Sequence, residues 1–211
     1  MQTLTEMIIE KIDADIFSHS ALAACLGTSS AARRYSLLKR AMAGGEVIVI
    51  RRGLYCLAEK YRRRPFDLFE VAQRVYGPSY ISFESALSFH GWIPESVRTV
   101  TSVSFGKSKE FTTAVGVFSF RHVPVNIFFE GVERQTSGVL IARPLKALLD
   151  YIYVYKKDWT GLRPVVESLR VDEGLLRKIS RTEIRHYKLN YPQKRIHHFL
   201  MGLDKELTHE H

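Results

Sequence analysis

The sequence predicts an α+β fold in two parts: a small helical module ending in a hairpin, then a mixed α+β domain with a helical C-terminal tail. Three observations carry this. Apolar residues recur at helical spacing up to Gly45. Two β-rich runs, Val47-Ile48-Val49-Ile50 and Leu54-Tyr55-Cys56-Leu57, then flank Arg51-Arg52-Gly53. From about Leu162 to Leu207 the pattern is helical again.

Leu4, Met7, Ile8 and Ile12 lie at helical spacing with Glu6, Glu10 and Lys11 mostly opposite, so a first scaffold helix is expected from about Thr3 to Ile12. Phe17 leads into Ser18-His19-Ser20, where a serine can cap a second helix through Ala21, Leu22, Ala24 and Cys25 to Gly27. Its alanines allow a neighbouring helix to cross closely. Thr28, Ser29 and Ser30 offer alternative caps for a third helix, whose apolar side is traced through Tyr35, Leu38 and Met42 with Leu37 and Ala41 alongside. Gly44-Gly45 ends it. The strands follow, and Gly53 suits the positive φ of a tight turn.

A basic helix followed at once by a basic-tipped hairpin is the order of a winged helix-turn-helix, in which the helix enters a DNA groove and the wing touches the adjacent backbone. Ser29, Arg33, Ser36 and Arg40 share a face, and hydroxyls with guanidinium forks are groups that reach phosphates and base edges. Arg34 and Lys39 flank that face and suit phosphates; Arg51 and Arg52 at the tip suit phosphate or minor-groove contact. Charges at a hairpin tip also discourage sheet-to-sheet aggregation, which is the competing explanation. The run Tyr61-Arg62-Arg63-Arg64-Pro65 reads as a linker, giving domains 1–64 and 65–211.

Charge supports a polyanionic partner. Of a formal net charge of +9, residues 31–64 hold ten bases against two acids, an excess of +8. Neutralising phosphates with such a surface releases counterions. The 45% apolar and 25% charged composition is that of an ordinary globular protein. No apolar run approaches the ~20 residues a membrane span needs, and the N-terminus lacks the form of a signal peptide, so cytoplasmic residence is expected. Cys25 and Cys56 show no ligand spacing and read as buried thiols.

Beyond Pro65 twenty bases face sixteen acids, and a separate task is expected. Phe66 to Tyr76 is helical by spacing, Ser82 can cap a helix that sends Ala86, Leu87 and Phe89 to a core, and Gly91 ends it. Val97 to Phe105 and Gly116 to Val123 suggest a small, mostly antiparallel sheet, to which Ile127-Phe128-Phe129 and Gly138 to Ala142 could add strands. Pro144 opens a strong helix.

No catalytic residue is assigned. A nuclease would want clustered carboxylates and a Glu-x-Lys strand, and that triplet does not occur. Ser85 and His90, five apart on one helix, diverge. His197-His198 diverge likewise, and His209 and His211 sit in a tail too frayed for a metal cage. No phosphate-binding glycine motif is present, and neither metal nor cofactor is expected. Lys178, Arg181, Arg185, His186, Lys188, Lys194 and Arg195 form either a solvated face or a second contact to nucleic acid or an acidic partner.

Three phrases together carry a resemblance: Gly45 to Tyr55 (GEVIVIRRGLY), Tyr80 to Pro94 (YISFESALSFHGWIP) and Ala142 to Asp150 (ARPLKALLD). The chain resembles, up to about residue 155, the AbiEi-type antitoxins of type IV toxin-antitoxin systems. The second phrase is the most specific of the three. The resemblance implies a bacterial autoregulator whose N-terminal domain represses its own operon and whose C-terminal domain counteracts a nucleotidyltransferase-like toxin encoded beside it, with direct contact left open. The DNA-contacting role carries over to Arg33, Arg34, Arg40, Arg51 and Arg52, and no antitoxin residue is assigned.

The expected function is therefore a sequence-specific repressor of double-stranded operator DNA, gaining specificity as a homodimer or by cooperative binding. The alternative is a nucleic-acid-modifying or nuclease-type enzyme delivered by the winged domain. A third reading, a protein-interaction module, would show binding indifferent to salt.

Overall fold

Thr3 and Glu6 form a reciprocal capping box that opens helix α1 (Leu4–Lys11), the Glu6 amide donating to Thr3 Oγ1 at 3.2 Å and the Thr3 amide to the Glu6 carboxylate at 2.8 Å. The structure, a computed structural model, describes residues 2–123 and 128–208. Its architecture is mixed α+β, with two sheets and helices at both ends of the chain. Two compact units are distinguished, Met1–Val75 with Thr112–Gly116, and Tyr76–Phe111 with Val117–His211.

In the first unit, β1 (Ile16–Ser18) precedes α2 (His19–Cys25), which Ser18 caps by accepting from the Ala21 amide at 3.1 Å. Strand β1 was not expected from sequence. Helix α3 (Ala31–Ala43) is capped by Ser30, which settles the three alternatives. It leads through Gly44-Gly45 into β2 (Val47–Arg51) and β3 (Leu54–Leu57). All pairings are antiparallel in the order β1-β3-β2, and a bulge between Val49 and Arg51 precedes the turn. Gly53 takes φ +80° there, a region that costs other residues about 1–2 kcal/mol. Leu4, Ile8, Phe17, Leu22, Leu38, Ala41, Val47 and Leu57 form the core. Each large apolar side chain among them contributes roughly 1.5–3 kcal/mol by leaving water.

The segment expected as a linker folds back instead: Glu59–Tyr61 is a 3-10 turn, and α4 (Leu68–Val75) completes the unit. Tyr35, expected on the apolar side of α3, is 63% exposed. The core takes Leu38 and Ala41, and Leu37 and Met42 pack at its edge, leaving Tyr35 outside that stripe.

The larger sheet is built on β4 (Ser79–Ile81), β5 (Thr99–Ser104), β6 (Lys109–Thr113), β7 (Gly116–His122), β8 (Val132–Arg134) and β9 (Leu140–Ala142). Their order is β6-β7-β5-β4-β9-β8. The sheet is mixed rather than mostly antiparallel, since β4 runs parallel to β9 and β5 to β7. Parallel pairs need long crossover connections, which local alternation does not reveal. Phe128 and Phe129 lie in a turn rather than a strand, and Ile127 falls outside the described residues.

Helix α5 (Phe83–Phe89) buries Ala86 and Leu87, whereas Phe89 is 50% exposed. Ser82 occupies its N-cap position without capping it. Helix α6 (Pro144–Val154) begins at its proline. The remainder is α7 (Arg163–Leu169), α8 (Glu173–Leu176), α9 (Arg181–Asn190) and α10 (Lys194–Glu206). Among the described residues no helix is long and apolar enough to cross a membrane.

Candidate nucleic-acid interface

Helix α3 buries one side in the first unit's core, so its other side is fixed by the about 100° that separates successive residues. Exposed Ala32, Ser36, Lys39 and Ala43 run down the middle of that face. Arg33 and Arg40 form one border, and Tyr35 forms the other. The small side chains in the middle keep the helix surface low between the long ones. Arg51 and Arg52 are exposed at the β2-β3 turn, where an Arg51 guanidinium nitrogen donates to the Arg52 carbonyl at 3.2 Å.

Two of the residues expected in this set turn inward. Ser29 precedes the helix cap, and its Oγ is enclosed with no hydrogen bond among the described residues. The Arg34 guanidinium folds back to donate to the Ser29 carbonyl oxygen, holding the connection between α2 and α3. Arg33, Ser36, Lys39 and Arg40 are thus brought together, while Ser29 and Arg34 support the turn beneath them.

The basic run also sorts by partner. Arg62 donates from Nε to the Leu57 carbonyl at 2.9 Å and lies 4.0 Å over the Phe66 ring. Arg63 donates to the Ile12 carbonyl at 3.0 Å and to that of Ile9, beside Asp13 and Asp15 at 3.9 Å. Arg64 pairs with Glu70 at 2.5 Å. These three bases satisfy the protein itself. The side chains of Arg33, Lys39, Arg40 and Arg52 make no hydrogen bond or ion pair among the described residues. Uncompensated cations on one helix and one turn raise the local potential toward an anionic partner.

In the second unit the structure assembles a polar cluster that sequence reasoning passed over. Asp150 accepts from Tyr80 Oη at 3.0 Å, Ser82 Oγ at 2.8 Å and Lys146 Nζ at 2.5 Å, and Lys146 also donates to Tyr191 Oη at 2.9 Å. The Lys146 and Asp150 side chains are 0% exposed. Burial, then the neighbouring Asp150 charge, pushes both the Tyr80 and Tyr191 phenols well above their ordinary range, so both remain proton donors. Buried charge survives only when paired and hydrogen-bonded. The cluster ties β4 to α6 and to the end of α9. One signal was available: a lysine and an aspartate four apart inside an otherwise apolar helix.

Phrases Tyr80 to Pro94 and Ala142 to Asp150 therefore meet in space. His90 joins them too, its Nε2 lying 3.0 Å from the Ala142 carbonyl oxygen. Ser85 is engaged with Thr99 and Thr101, its Oγ accepting from the Thr101 amide at 2.8 Å. Ser82, Ser85 and His90 are thus all hydrogen-bonded within the protein. Several basic residues of the C-terminal run are likewise paired: His186 with Glu130, Lys188 with Asp204 at 3.2 Å and Arg195 with Asp158 at 3.0 Å. Among the described residues no group of three or more His, Cys, Asp or Glu is placed to hold a metal. His209 and His211 lie outside the described residues.

Compared with protein-family models and with curated proteins, the chain matches none.

Proposed function

We propose that the first unit is a winged helix-turn-helix that binds double-stranded DNA, with α3 in the major groove and the β2-β3 turn on the adjacent backbone. The observation that supports this most is the sorting of cations. Arg62, Arg63 and Arg64 have protein partners, whereas Arg33, Lys39, Arg40 and Arg52 stand exposed without one among the described residues. A fork-shaped guanidinium suits guanine edges and phosphates alike. In this reading Arg33 and Arg40 discriminate bases, Ser36 and Lys39 assist from the middle of the face, and Arg51 and Arg52 hold phosphates. Arg34 and Ser29 act indirectly, by fixing the turn that aims α3.

The wider role follows the sequence resemblance: a cytoplasmic antitoxin that represses its own operon and counteracts a nucleotidyltransferase-like toxin. The second unit would carry the toxin-directed activity. Homodimeric or cooperative binding would supply the specificity that one such module lacks.

A gel-shift assay on the DNA upstream of the chain's own gene tests the first part. The expected result is binding that survives excess unrelated duplex and loses base discrimination in Arg33→Ala or Arg40→Ala. Equal affinity for all duplexes, unchanged in either variant, would contradict it. Co-expression with the product of the adjacent gene tests the second part, with rescue of growth expected and continued arrest contradicting it.

A further inference from the structure

Tyr35 is the feature of α3 that neither its charge nor its packing explains. Its ring is 63% exposed and makes no hydrogen bond or ring contact among the described residues. Ala31 and Ala32, four and three residues earlier, are exposed as well, so the three form one apolar edge on the first turns of the helix. Beside that edge stand Ser36 and Lys39. A lone exposed aromatic needs no explanation in general. Here it occupies the N-terminal part of the helix, the part of a recognition helix that faces base edges, and exposed cations along the same helix supply complementarity to a polyanion.

We infer that Tyr35, with Ala32 beside it, reads the C5 methyl group of a thymine in the major groove. The inference rests on the DNA-binding reading and deepens it. In the major groove an A·T pair differs from the others in offering an apolar group, and an apolar side chain is what recognises it. A phosphate would engage only the phenol hydroxyl and leave the ring faces in water. Arginine forks suit guanine, so this apolar edge would add an A·T preference beside a G·C one on a single helix.

The test begins with a duplex selected from a randomised synthetic pool by the full chain, in which thymine is the only base carrying that methyl. Each thymine is then replaced singly by deoxyuridine, which removes the methyl and leaves the hydrogen-bonding edge intact. The expected result is a loss of about fourfold per contacted methyl at one or two positions. That sensitivity should vanish in Tyr35→Ala and persist in Tyr35→Phe. Tight binding with no sensitivity at any thymine would overturn the inference, as would an unchanged thymine preference in Tyr35→Ala or an equal loss in both variants. Failure of the wild-type chain to enrich any sequence would instead remove the DNA reading itself.

Discussion

The Arg63 guanidinium donates to the Ile12 carbonyl oxygen at 3.0 Å, so a residue at the heart of the basic run closes the C-terminal end of the first helix. Positive charge is favourable at that end of a helix, and Asp13 and Asp15 lie beside the same guanidinium. The charge count of the run therefore overstates what faces outward. Arg63→Ala should lower stability by about 1–2 kcal/mol, near the low end for bonds to charged groups because the side chain is partly exposed. Arg40→Ala should stay within about 0.5 kcal/mol of wild type. Urea denaturation of both variants checks the contrast, and equal stabilities would contradict it.

Lys146 and Asp150 make the opposite kind of charge pair, wholly enclosed. Lys146→Met removes the cation and leaves a buried carboxylate with only hydroxyl donors. A loss of about 3–5 kcal/mol is expected. Adding Asp150→Leu removes the stranded charge but orphans Tyr80 and Ser82 hydroxyls, so the double variant should recover part of the loss and not all. A double-mutant cycle by chemical denaturation measures this, and strict additivity of the two changes would show that the pair is uncoupled.

Elements with local signals were legible in the sequence. The first helix follows from Thr3, Glu6 and the spacing of Leu4 and Ile8; the β2-β3 hairpin follows from its β-branched run and Gly53. What escaped depends on distant partners. Strand β1 has three residues and exists because β3 pairs with it. The parallel pairing of β4 with β9 joins segments sixty residues apart at Ile81 and Ile141. Tyr35 reads as apolar by periodicity, yet the core is already filled by Leu38 and Ala41. Arg62 and Arg63 were indistinguishable in sequence from Arg51 and Arg52, because their acceptors are main-chain carbonyls that carry no residue signature.

Glu84 gives the structure a pH dependence with a definite sign. Desolvation raises its carboxyl above the ordinary 4.5, and its Oε2 is buried without a hydrogen bond among the described residues. Folding thus favours the protonated acid, so its contribution is fully present below about pH 4.5 and is lost as pH rises through the folded-state value. Glu84→Gln should be more stable than wild type at neutral pH, with an advantage that grows from about pH 4.5 upward and then levels off. Denaturation at a series of pH values checks this, and an advantage that shrinks as pH rises would contradict the assignment.

The most direct test of the central proposal is the salt dependence of duplex binding by the full chain, measured by fluorescence anisotropy for wild type and for Arg51→Ala with Arg52→Ala. Wild-type affinity should fall linearly on a logarithmic salt axis, and the double variant should bind more weakly with a slope reduced by about two, close to one unit for each phosphate left unneutralised. A folded double variant with the wild-type affinity and slope would contradict the account.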